Sequence, residues 1–147
     1  MIAHGVNHGR NLEGTAKWFE SIGFRQPRLQ AQLSSVVEVG SGAALILGAA
    51  TPLSASAVVG TMGVAIASVH RPNGYFITKE GWEYTGFITA ASVAVSALGS
   101  GRFSLDRLIG LDEAGTATKR AALTFGLGVA GALGQLKLFW RKPITHA

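Results

Sequence analysis

The stretch that decides the fold is residues 33–70, which read LSSVVEVGSGAALILGAATPLSASAVVGTMGVAIASVH. Its only formally charged side chain is Glu38, and Pro52 divides it into two apolar halves. Each half is close to the roughly 20 residues that a helix needs to cross the hydrocarbon core of a bilayer. Because proline ends or bends a helix, Pro52 predicts a tight turn between two membrane helices, over residues 33–50 and 53–70.

The composition indicates a single-domain membrane protein and excludes several classes of function. Only 14% of the 147 residues are charged and 20 are glycine, which suits close helix packing in lipid. There is no cysteine, so the chain supplies no thiolate metal ligand and no thiol redox group. The formal net charge is +5, but the basic residues form no run and accompany no nucleic-acid-binding motif. We therefore expect the lipid bilayer as a partner, and no nucleic acid.

The segments on either side extend this pattern. Residues 82–99 and 121–140 are apolar and predict a third and a fourth membrane helix. Residues 10–32 carry Leu12, Ala16, Phe19 and Ile22 at helical spacing, which predicts an amphipathic segment lying on the membrane surface. We predict an all-α protein, a transmembrane four-helix bundle with an N-terminal amphipathic interfacial segment, forming one domain over residues 1–147.

Small residues recur at four-residue steps on two of the predicted spans. The first span carries Gly40, Ala44 and Gly48, and the last carries Gly126, Ala130 and Gly134. Close backbone contact, rather than hydrophobicity, holds helices together in lipid. We therefore predict that the stripe on the first span faces another helix.

Several motifs resemble those of one membrane protein family in their order and spacing. They read HG at residues 4–5, GTAKWFESIG at 14–23, EVGSG at 38–42, TP at 51–52, GWE at 81–83 and GRFSLD at 101–106. Over about residues 3–111 the chain resembles the DoxX family of small bacterial integral membrane proteins. The family's first helix, which ends at the His-Gly motif, is almost wholly missing here, so we expect the true start to lie upstream or the protein to be a shortened form.

The resemblance implies a multi-pass bundle of about four helices in the bacterial plasma (inner) membrane. It also implies a link to redox and sulfur metabolism, since the family is named after a subunit of a thiosulfate:quinone oxidoreductase. The orientation stays open: the count of basic residues places the Glu38 face in the cytoplasm, whereas the family pattern places the loop at residues 104–106 there.

Counting membrane crossings, with the family's first helix included, brings ionisable side chains to one membrane face. The predicted cluster consists of His4, Arg10, Glu38, His70, Lys79 and Glu83. A carboxylate at membrane depth is costly and is kept where it meets a partner, a cavity or a ligand. Such a group can bind a quinone headgroup and pass protons through imidazole and carboxyl groups. Alternatively, these side chains satisfy one another's hydrogen bonds and lock the helices without chemistry.

Two further sets of residues have simpler interpretations. His4 and His8 have the spacing of two ligands on one helical face, but the glycines around them are poor helix formers, and we predict no metal site. On the opposite membrane face, Ser104 is predicted to cap a short helix while Asp106 pairs with Arg102, an architectural role.

The leading hypothesis is a subunit or accessory of a quinone-linked membrane oxidoreductase system. A quinone would be its cofactor, and a redox enzyme subunit or a second copy of the chain its partner. The alternative is a non-catalytic scaffold that anchors redox or stress-response enzymes. A small-solute transporter is the third hypothesis, and the absence of an inverted repeat or a broken helix in the sequence disfavours it.

Overall fold

The computed structural model describes residues 1–111 and 115–143, and this part of the chain is all-α, which confirms the predicted class. The helices are α1 (Ile2–Arg10), α2 (Leu12–Ser21), α3 (Pro27–Leu47), α4 (Thr51–Ala65), α5 (Glu83–Leu98), α6 (Leu105–Leu108) and α7 (Ala117–Phe139). A π-helical turn, Ile66–His70, extends α4, and 3-10 turns follow at Arg71–Asn73 and Ile77–Lys79.

Helix α4 lies at the centre of the molecule and packs against α3, α5 and α7. Helices α1 and α2 pack on α3, so that the chain before residue 27 adds a layer on one side. The connections place the start of α3, the end of α4, the start of α5 and the end of α7 at the same end of the molecule.

Two helices in the described part of the chain are long and apolar enough to cross a membrane. They cover Thr51–Asn73 and Ala117–Phe139, each 23 residues long, with mean hydropathies of 1.6 and 1.4. They correspond to the spans predicted over residues 53–70 and 121–140. The spans over residues 33–50 and 82–99 stay predictions, since α5 has only 16 residues and the polar first turns of α3 lower its mean hydropathy.

The start of α3 differs from the sequence prediction. The helix begins at Pro27 rather than at residue 33, because proline's fixed φ and missing N–H suit the first turn of a helix. Residues 27–32 therefore form the first turns of α3. Within them, Gln30 is fully buried, and its side-chain oxygen accepts a hydrogen bond from Gln135 Nε2 of α7 at 2.8 Å.

The apolar face of α2 packs on protein. Phe19 is buried in a core cluster that includes Phe24 and residues of α3, α4 and α7. Trp140 Nε1 donates to Ile22 O at 2.8 Å, and Arg25 N donates to Phe139 O at 2.7 Å, so the end of α7 is tied to the turn between α2 and α3. The amphipathic pattern thus predicted the helix but not the surface on which it packs. An apolar helix face can be buried against protein as well as against lipid.

Glycines of α4 and α7 let these two long helices pack closely. A Cβ atom added at Gly128 would lie 2.5 Å from Val59 Cγ1, and one added at Gly60 would lie 3.3 Å from Gly128 O. The buried face of α7 carries Thr124, Gly128 and Ala132. The predicted stripe of Gly126, Ala130 and Gly134 lies off this face, because equal four-residue spacing occurs on more than one side of a glycine-rich helix.

The stripe predicted on the first span also differs from the structure at its first member. Gly40 is exposed, and a Cβ added there would meet no atom within 4 Å. Ala44 is partly buried, and Gly48 ends α3 with a φ of 59°. The close approach on α3 is made by Gly42, where an added Cβ would lie 2.7 Å from a side-chain carbon of Ile2.

Candidate functional site

A carboxylate, an imidazole and a hydroxyl meet where α1 packs on α3. Glu38, in the middle of α3, is only 4% exposed. Its Oε1 atom accepts a hydrogen bond from Ser34 Oγ, one helical turn earlier, at 2.5 Å. His8 Nδ1 of α1 lies 3.2 Å from Glu38 Oε1 and 3.2 Å from Ser34 Oγ. The buried carboxylate therefore has two side-chain partners from two helices.

Gly5 lets α1 pack close to α3 at this point. A Cβ atom at this position would lie 2.8 Å from Ser35 O and 2.9 Å from Glu38 Cβ, closer than side chains tolerate. Ser35 Oγ also donates to Gly5 O at 2.6 Å, which ties the two helices together. The glycine of the His-Gly motif therefore brings the α1 backbone onto α3, one turn away from His8.

Helix α2 provides an aromatic wall for the imidazole. The His8 ring stacks on Trp18, with centroids 6.5 Å apart and planes inclined by 29°, and meets the edge of Phe19 at the same separation. Thr15 Oγ1 donates to His8 O at 3.2 Å. Trp18 is 44% exposed and the His8 side chain 22% exposed, so the imidazole connects the buried carboxylate to the outside of the protein.

The hydrogen bonds determine which ring nitrogen carries a proton. Because Ser34 Oγ uses its one proton on Glu38, it can only accept from His8, and so His8 Nδ1 is the protonated nitrogen. His8 Nε2 receives no hydrogen bond from the described residues. This atom can accept a proton from a bound molecule, or donate one, while Nδ1 stays bonded to the carboxylate.

The structure divides the six residues of the predicted cluster into separate groups. Glu38 lies between α1 and α3, whereas His4 and Arg10 of α1 are exposed. The other three are near the loop between α4 and α5, where His70 Nδ1 bonds to Glu80 O at 2.6 Å and Glu83 Oε2 accepts from Ile77 N at 2.9 Å. Lys79 is exposed on that loop. In the described part of the chain, no hydrogen bond or ion pair joins Glu38 to these other members.

His8 is the functional candidate that sequence reasoning missed as a partner of Glu38. Its spacing in the sequence points only to a metal site shared with His4. His8 and Glu38 are 30 residues apart in the sequence, and this separation gives no indication that they are in contact. The signal that would have found the pair is a helical start of the chain, running antiparallel to α3, with Gly5 as the contact point.

A second buried carboxylate lies at the other end of the molecule. Asp106, 3% exposed, accepts hydrogen bonds from Ala50 N at 2.6 Å and Thr51 N at 2.9 Å, at the start of α4. Burial raises the pKa of Asp106, but the hydrogen bonds from Thr51 and Ala50 lower it by more, so the pKa lies below its usual value. The predicted partner Arg102 is instead exposed.

The rest of this loop is architectural. Ser104 caps α6 by accepting from Arg107 N at 3.2 Å. Asp106 N donates to Gly48 O at 2.9 Å, and an added Cβ at Gly48 would lie too close to Ser104 for a side chain. Gly48 therefore forms the turn between α3 and α4 and contacts the loop that carries Ser104 and Asp106. It is not part of a helix-packing stripe.

Comparison with known proteins supports the resemblance over the first part of the chain. Residues 1–71 match the DoxX family model, a range that contains Gly5, His8, Ser34 and Glu38. The chain has no significant match among curated proteins or among solved structures.

The family match and the structure agree on the broad nature of the protein. The DoxX match over residues 1–71 suggests a membrane protein, which would contact lipid, and the described part of the chain includes two helices long and apolar enough to cross a membrane. The match over residues 1–71 is consistent with a DoxX-family protein.

Proposed function

We propose that the chain is a membrane subunit of a quinone-linked oxidoreductase system, in which His8 and Glu38 contact the quinone headgroup and handle its protons. The observation that carries this proposal is the buried Glu38 carboxylate bonded to a partly exposed imidazole. Reduction of a quinone consumes protons as well as electrons, so its site needs a group that delivers protons into an apolar environment.

The atoms around His8 fit a quinone headgroup. When the imidazole carries a proton on both nitrogens, Nε2 would donate a hydrogen bond to a quinone carbonyl, and the Glu38 carboxylate would stabilise this imidazolium. The exposed edge of Trp18 offers an aromatic surface for the flat ring of the ligand. The protein's share is to hold the headgroup and relay protons from His8 to it.

The electrons are assigned to a partner. The chain contains no cysteine that would carry them as a thiol or ligate an iron–sulfur cluster. We therefore place the electron-donating group in another subunit. A soluble or membrane-bound redox enzyme docked beside α1 and α2 fits this role.

Quinone binding by the purified protein tests the proposal. Quinones quench tryptophan fluorescence, so titration in detergent yields a Kd through Trp18, and Trp18→Phe identifies the signal. We expect His8→Gln to weaken binding by about tenfold, which is the loss of one good hydrogen bond in an apolar site. Glu38→Gln keeps a hydrogen-bond acceptor but removes the charge that would stabilise the imidazolium, and it is expected to lower the affinity for quinone while the fold persists.

Glu13→Gln is the control, since Glu13 is an exposed carboxylate in the first turn of α2. It is expected to bind like the wild type. Equal affinity of the wild type, His8→Gln and Glu38→Gln for quinone would contradict the proposal.

The alternative function is a scaffold that anchors redox or stress-response enzymes. It is favoured by the internal satisfaction of Glu38, whose two partners also lock α1 onto α3. A protein with Glu38→Gln that folds normally and fully complements a deletion strain under oxidative or sulfur stress would support the scaffold.

A further inference from the structure

A groove of about 540 Å³ lies beside the first turns of α5 and does not include His8 or Glu38. Its walls are aromatic and aliphatic apart from one carboxylate, and they include Tyr75, Ile77, Trp82, Glu83, Tyr84 and Phe87. Among the described residues, no lysine or arginine lines it. An aromatic groove with a single negative charge favours a cation carried on an apolar body.

The backbone that carries these side chains is tied in place. Trp82 N donates to Gly74 O at 3.1 Å, and Glu83 N donates to Tyr75 O at 2.9 Å. A Cβ added at Gly81 would lie 2.5 Å from backbone atoms of Gly74 and Tyr75, so the two parts of the loop touch. The groove therefore exists before any ligand binds.

The aromatic rings present their surfaces to the outside. Tyr75 and Trp82 pack edge to face, with centroids 4.9 Å apart and planes at 82°, and both are more than a third exposed. On α5, Tyr84 and Phe87 are 53% and 69% exposed. Because residues three apart share one helical face, these two side chains continue the groove along α5 as an apolar track.

Glu83 supplies the charge. Its Oε2 atom accepts from Ile77 N at 2.9 Å, which fixes the carboxylate at the groove, while Oε1 receives no hydrogen bond from the described residues. A fixed carboxylate attracts a positive charge and repels an anionic headgroup. A quinone carbonyl, which needs a donor, finds none in this carboxylate.

We propose that this groove binds a phospholipid with an ammonium headgroup, such as phosphatidylethanolamine. The ammonium group lies against Glu83 and over the rings of Tyr75 and Trp82, and an acyl chain follows Tyr84 and Phe87. Lys79, exposed on the same loop, is available to the lipid phosphate. The lipid site shares no residue with the proposed quinone site, so each proposal can be tested independently of the other.

The test compares two lipids and two carboxylates. The full chain, purified in detergent, is titrated with dioleoyl phosphatidylethanolamine or dioleoyl phosphatidylglycerol, and bound lipid is counted by native mass spectrometry. We expect the wild type to retain the ethanolamine lipid about tenfold more tightly than the glycerol lipid. Glu83→Gln, which keeps an acceptor for Ile77 N, is expected to lose that preference.

Glu80→Gln is the matched control, an exposed carboxylate on the same loop that does not line the groove. It is expected to bind both lipids like the wild type. Tyr75→Leu tests the aromatic contribution in a variant that keeps the Glu83 charge. It is expected to weaken binding of the ethanolamine lipid but not of the glycerol lipid. Equal retention of the two lipids by the wild type, an unchanged preference in Glu83→Gln, or displacement of the lipid by a soluble quinone would overturn the proposal.

Discussion

Glu38 and Asp106 are both buried carboxylates, at 4% and 3% exposure, yet their partners differ in kind. Asp106 accepts from two backbone N–H groups at the start of α4. Glu38 is bonded to the side chains of Ser34 and His8. Backbone amides only donate hydrogen bonds, so Asp106 holds the turn between α3 and α4, whereas an imidazole can accept and donate protons. The partner, rather than the burial, distinguishes the structural carboxylate from the candidate for chemistry.

The comparison predicts its largest effect at Asp106. Asp106→Ala leaves the N–H groups of Ala50 and Thr51 without their acceptor, and we expect a loss of about 3 kcal/mol in the free energy of unfolding. Thermal or denaturant unfolding in detergent measures it. Arg102→Ala, on the same loop but exposed, is the control and should change stability by less than about 0.5 kcal/mol. A larger loss at Arg102 than at Asp106 would restore the ion pair predicted from the sequence.

The contact that brings His8 to Glu38 predicts the second effect. Gly5→Ala places a methyl group 2.8 Å from Ser35 O, and we expect about 2 kcal/mol of destabilisation together with loss of the His8–Glu38 contact. Gly40→Ala is the matched control on α3, since its methyl group meets nothing within 4 Å. It should be neutral or stabilising by up to about 1 kcal/mol, because alanine favours the helix. If Gly40→Ala is the more damaging variant, the small-residue stripe faces a partner after all.

A smaller effect is expected at Glu38 itself. Glu38→Gln keeps an oxygen that accepts from Ser34 and His8, so the free energy of unfolding should fall by no more than about 1 kcal/mol. The measurement is the same unfolding experiment that is applied to Asp106. A loss as large as that of Asp106→Ala would show that Glu38 is mainly structural and would remove the contrast between the two carboxylates.

The smallest expected effect is the change in the free energy of unfolding with pH that Asp106 causes. The pKa of Asp106 is lowered in the folded protein, so its contribution is fully present above the unfolded pKa of about 4 and is lost as the pH falls through the folded pKa. We expect wild-type stability to decrease on acidification below about pH 4, and this part of the decrease to be absent in Asp106→Asn. Parallel stability–pH curves for the two proteins would contradict the role of the ionised carboxylate.

The sequence predicted the local features well because they depend on neighbours along the chain. Apolar length and the proline at position 52 predicted the helices around the turn, and the type and position of Ser104 predicted a cap of the kind seen on α6. The start of α3 was predicted too late, at residue 33 instead of Pro27, because polar residues in its first turns hid the helix from a hydropathy criterion.

By itself, the sequence determined that the chain is helical, which segments are most apolar, and that a costly carboxylate lies within one of them. Only the tertiary structure decided that His8 is the partner of Glu38, that backbone amides are the partners of Asp106, and that Gly42 and Gly128 rather than Gly40 and Gly126 pack closely. The physical reason is that helical spacing defines the faces of a helix but not which face meets another helix. That choice depends on the summed packing of distant segments, and one-residue differences in rotation move a side chain by about 100° around the helix.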